Sequence, residues 1–143
     1  MLITSTPPSV FISSTVKEFR DLRSAIAYTL RVQGFTVFQS EASDFNIRGD
    51  RSAIEECLAN IGDCDFYILL VGNTRGNLFE DGISVTRQEY RTARDACLSR
   101  GRPRLLFYLR DTTELALQSN QEAQLAAGID DPNHLASFID EIQ

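Results

Sequence analysis

A chain of 143 residues, 43% apolar, 9% aromatic and 24% charged, has the size and make-up of one folded domain whose core needs no disulfide or metal. Its net charge of −6 argues against a general nucleic-acid binder, which gains affinity by setting many Lys and Arg against phosphates. Cys57, Cys64 and Cys97 are odd in number and widely spaced, the start is not leader-like, and no segment nears the ~20 apolar residues of a membrane span. The expectation is a cytoplasmic domain in a reducing compartment, with no zinc site and no membrane partner.

Val10-Phe11-Ile12, set off by Pro7 and Pro8, reads as a strand apolar on both faces. Phe19, Leu22, Ile26 and Leu30 then recur at helical spacing from Val16 to about Gln33, and Gly34 supplies the stop. Thr36 to Phe38 gives a second short strand, and the polar stretch from Gln39 to Gly49 a connection. Asp50 is placed to cap a helix with Ile54, Leu58 and Ile61 as its buried stripe, ending near Gly62. Phe66 to Val71, six apolar residues in a row, is too short to favour a helix and too apolar for an exposed edge, so it reads as a central strand.

Gly72 to Gly82 is expected to be a long loop, followed by a helix from about Arg87 to Ser99 with Tyr90, Ala93 and Cys97 inward. Arg104 to Leu109 forms a fourth strand. Glu114 to Ala127 reads as helical, and Asn133 to Gln143 as a short amphipathic helix built on Leu135, Phe138, Ile139 and Ile142.

Strands alternating with helices predict a parallel sheet covered on both faces, in the flavodoxin-like order 2-1-3-4. In that winding ligands bind above the carboxyl ends of strands one and three. Two loops border that crevice, Ser13 to Thr15 and Gly72 to Thr86. Each ends in a Thr-x-x-Glu sequence, Thr15 to Glu18 and Thr86 to Glu89, which fits a capping box at a helix start. Only one hydroxyl is needed for a cap, however, and Ser13 and Ser14 also stand at a helix N-terminus, where phosphate is readily held. Glu89, in the first turn of the helix after strand three, would overhang the same crevice.

No Rossmann or Walker glycine fingerprint accompanies these loops. His134 has no nucleophile or carboxylate constellation beside it in the sequence. Asp63 and Asp65 fall at the amino end of strand three, away from the crevice. Arg87, Arg91 and Arg94 repeat at helical spacing, which fits a solvated face or one meeting an acidic surface.

Val10 to Thr15, Ile54 through Gly72, and Gly82-Ile83-Ser84-Val85-Thr86-Arg87-Gln88-Glu89-Tyr90 resemble a family of uncharacterised domains found ahead of NACHT or STAND-type ATPases and tetratricopeptide-repeat proteins. That family is distantly similar to TIR domains and nucleoside 2-deoxyribosyltransferases. The resemblance covers about residues 9 to 110. It implies a TIR-like single domain cut from a larger protein, with self-association and the parent's ATPase or repeat domains as partners. It also implies cleavage of an N-glycosidic bond of NAD or a related nucleotide as substrate, with no cofactor and Glu89 as the catalytic carboxylate. Ser13, Ser14, Gly72, Arg75, Gly76 and Ser84 would form the nucleotide site. Two departures stand out: Thr74-Arg75-Gly76 replaces the family's Arg-Tyr-Gly, and no fifth strand is evident before Gln143. A non-catalytic interaction module of the same fold, or nucleoside deoxyribosyl transfer, are the other readings.

Overall fold

The computed structural model describes residues 6–39, 51–79 and 81–143. The chain runs through β1 (Ser9–Ser13), α1 (Arg20–Val32), β2 (Thr36–Gln39), α2 (Arg51–Asp63), β3 (Phe66–Val71) and α3 (Val85–Arg100). It ends with β4 (Arg104–Leu109), α4 (Asp111–Leu117), α5 (Gln121–Ala127) and α6 (Pro132–Ile142). The four strands form one all-parallel sheet in the order β2-β1-β3-β4, a flavodoxin-like arrangement. Ser13 pairs with Leu69 in register, so β1 and β3 bring their carboxyl ends out together. Asp50, and the connecting segment expected before it, lie outside the described residues, as do the side chain of Ile54 and its place in the stripe.

Side chains alternate across the sheet and create two cores. On one face Val10, Ile12, Ile68 and Leu70 pack with Phe19 and Ala27 beneath α1. On the other, Phe11, Tyr67, Leu69 and Val71 join apolar residues of α2, α3, α4 and α6. The α1 stripe differs from the spacing expected: Leu22 is exposed, while Arg23 and Ala27 are buried. One helix was expected between Glu114 and Ala127. The chain instead makes two, because Asn120 caps a fresh start by accepting from the Ala123 amide. β4 is an edge strand, and Leu106 and Tyr108, aligned with Ile68 and Leu70 on the α1 face, remain exposed.

Burial pushes the Cys64 thiol up to about 11, with the neighbouring Asp65 and Asp63 adding to the rise and Ser9 opposing it. Thiolate is the reactive form. Aromatic-disulfide titration of the native protein near neutral pH is therefore expected to modify the half-buried Cys57 and Cys97, and Cys64 only after denaturant is added.

Candidate functional site

Neither Thr-x-x-Glu sequence forms a capping box. α3 is capped by Ser84, whose hydroxyl accepts from the Arg87 amide, worth about 1 kcal/mol to the helix. That places Thr86 and Glu89 inside the helix, out of box register. α1 starts at Arg20 with Phe19 as its N-cap, so Thr15 and Glu18 precede it.

The two glutamates do separate jobs. Glu89 is 1% exposed and accepts a 2.7 Å hydrogen bond from the Ser13 hydroxyl, itself wholly buried. This contact joins the end of β1 to the first turns of α3 across the crevice. Tyr67 shares the interior cluster: burial and then the Glu89 charge push its phenol well above its ordinary pKa, with the Ser13 hydroxyl acting the other way. A carboxylate here sits in low dielectric, where its interaction with any nearby charge is several times stronger than in water.

Glu18 instead ties the two loops together. Its carboxylate accepts from the backbone amides of Asn73 and Thr74, each at 2.8 Å, and from the Thr74 hydroxyl at 2.7 Å. Arg110 lies 3.3 Å from the same carboxylate, and the Thr15 and Thr74 hydroxyls meet at 2.9 Å. Gly72 is required by this packing, because a Cβ there would run into the Glu18 carboxyl and the Phe19 ring. Gly72→Ala is expected to cost about 1–3 kcal/mol by overpacking, read as a lower midpoint in urea unfolding.

The other residues expected in the nucleotide site are dispersed. Ser14 is fully buried and donates to the Thr15 carbonyl. Gly76 takes a positive φ of 78° in the loop, a turn that favours glycine. Arg75 and Ser84 line a cavity of about 10 Å³. Its remaining polar lining, Thr15, Thr74, Thr86 and His134, was not anticipated. For His134 the sequence carried no usable signal, because Thr74, Arg75, Ser84 and Thr86, which line the cavity with it, lie about fifty to sixty residues earlier.

α6 forms the cavity's roof through His134, Leu135 and Phe138. It is held down by the three arginines, which meet an acidic residue of this same chain, Arg87 from a buried position and Arg91 and Arg94 from partly exposed ones. Arg87, Arg91 and Arg94 all converge on Glu141, at 3.1, 2.6 and 3.7 Å. Arg87 also donates to Ser137 and stacks on Phe138, whose ring meets Tyr90 edge-on. At the other end of the helix, Arg75 bonds Asp131 at 2.6 Å. Burial alone would raise the Asp131 pKa, but the bonds from Arg75 and from the His134 amide bring it below the ordinary carboxylate value. At the amino end of the sheet, Asp65 is not merely solvated: it accepts from the Ser9 amide and hydroxyl.

Among the described residues no group of His, Cys, Asp and Glu could hold a metal ion, and no helix is long and apolar enough to cross a membrane. The molecule is thus a parallel α/β domain with a buried serine–glutamate pair at its topological switch point and a polar niche beside it. The chain belongs to the family described as Domain of unknown function (DUF4062), whose model matches residues 9–143. Comparison with curated proteins and with solved structures gives no match.

Proposed function

We propose that this domain hydrolyses the N-glycosidic bond of NAD or a related nucleotide, as the effector unit of a larger signalling protein that activates it by self-association. The observation that carries the reading is the 2.7 Å contact between Ser13 and Glu89. It holds a carboxylate in a low-dielectric interior above the ends of β1 and β3, where doubly wound folds bind ligands.

The chemistry asks little more of the protein. The nicotinamide of NAD is cationic, so it leaves as a neutral ring carrying the electrons of the C–N bond and needs no general acid. Glu89 stabilises the positive charge that develops at ribose C1′ or traps it covalently; water completes the hydrolysis and loses a proton. Arg75 and Ser84 line the approach, with Gly72 and Gly76 shaping the loop beneath.

Glu89 and Ser13 are buried and neither lines the cavity under α6, so turnover requires the packing around the pair to open on assembly. The same burial, with a cavity of only about 10 Å³, favours a second reading: a non-catalytic interaction module in which the serine–glutamate pair is structural. Nicotinamide release from NAD, measured on the full-length or forcibly clustered protein, separates them. Release that depends on Glu89 supports the enzyme; intact self-association with no turnover in any assembled state supports the module. Deoxyribosyl transfer would instead show as base exchange between nucleosides.

A further inference from the structure

We propose that the niche between the β3–α3 loop and α6 recognises the 2′-hydroxyl of a ribose, so that the domain takes ribonucleosides and ribonucleotides and discriminates against their 2′-deoxy forms. The identity of that hydroxyl rests on the glycosidic reading above, since it is the one adjacent to the carbon on which Glu89 would act; the niche itself stands on geometry.

Among the described residues, two polar side chains that line this cavity find no partner. Thr86 is 4% exposed and its hydroxyl makes no hydrogen bond. Both ring nitrogens of His134 are buried and equally without a bond. Leaving such groups unsatisfied costs about 1–3 kcal/mol apiece, and one hydroxyl held in the cavity would satisfy Thr86 and one nitrogen of His134 together. The volume sets its size: about 10 Å³ matches one hydroxyl group, not a phosphate.

Charge sets its kind. Arg75, the cation of the lining, is already bonded to Asp131, and its backbone amide to Asp130. Around His134, burial first, then Arg87 of α3 and Arg75 of the loop, lower the imidazole pKa, against the pull of Asp131 and Asp130. A neutral imidazole has one donor and one acceptor, and a threonine hydroxyl can do both. That pairing suits a hydroxyl, which donates and accepts at once, whereas a phosphate dianion needs donors only.

His134 is the single histidine of the chain, so its imidazole proton resonances report the niche without assignment. The experiment titrates the protein with adenosine, 2′-deoxyadenosine and inorganic phosphate at several pH values. Adenosine is expected to shift the resonances saturably, at least about tenfold more tightly than 2′-deoxyadenosine, because the deoxy compound leaves the buried groups unpaired. Binding should weaken as pH falls and His134 protonates. Thr86→Val should erase the preference between the two nucleosides; if it does not fold, the comparison on the unaltered protein decides alone.

Equal affinities, or no shift with either nucleoside, overturn the niche. So does a response to phosphate that raises the imidazole pKa, which would mark an oxyanion site. A ribose preference without NAD turnover keeps the niche and removes the reaction; turnover without the preference does the reverse.

Discussion

Glu89→Gln is expected to abolish nicotinamide release from the assembled protein, by at least about a thousandfold in kcat, while changing stability by no more than about 1 kcal/mol. The asymmetry follows from what the substitution keeps. The amide carbonyl can still accept from Ser13, and a neutral group is cheaper to bury than a carboxylate. What it loses is the charge that opposes a developing cation. Ser13→Ala reverses the pattern: it strips the carboxylate of a donor in a dry interior and is expected to cost about 1–3 kcal/mol. Product chromatography and thermal unfolding on the same preparations read both effects. Full activity in the Gln variant would remove Glu89 from the chemistry.

Glu141→Ala is the second large effect. One carboxylate faces three guanidinium groups, and Arg87 among them is 8% exposed. Removing it leaves a buried cation uncompensated, for an expected loss of about 2–4 kcal/mol, with Arg91 and Arg94 adding little because water screens them. The same carboxylate makes stability depend on pH. Bonds from Arg91 first, then Arg87, hold its pKa below the ordinary 4.5, against the opposing effect of burial. The unfolded chain therefore takes up this proton more readily than the native state. The contribution is complete above about pH 4.5 and is lost as pH falls through the native value, so urea midpoints should fall faster on acidification in the parent than in the Ala variant. A variant as stable as the parent would show that the arginines find other partners.

Much of the sheet could be read from the chain because its strands are apolar on both faces. Phe66 to Val71 and Arg104 to Leu109 stand out as runs with no competing helical period, and their order follows from the alternation with helices. The helix edges were harder. Thr15-Val16-Lys17-Glu18 satisfies every local condition for a capping box, yet tertiary partners outbid the cap: Thr74 takes the hydroxyl and two loop amides take the carboxylate. Spacing placed Arg87, Arg91 and Arg94 on one face but could not supply Glu141, some fifty residues on. The same holds for His134, whose partners in the cavity lining, Thr74, Arg75, Ser84 and Thr86, come beside it only in the folded molecule.

The carboxylate of Glu18 has a mechanical corollary. By gripping the chain immediately after β3 it fuses the two lips of the crevice into one rigid rim, with Gly72 as the notch into which it fits. Neither lip can part from the other without breaking those bonds. Any give in this end of the molecule is left to the opposite bank, where α6 is fastened by ion pairs that a charged surface could compete for.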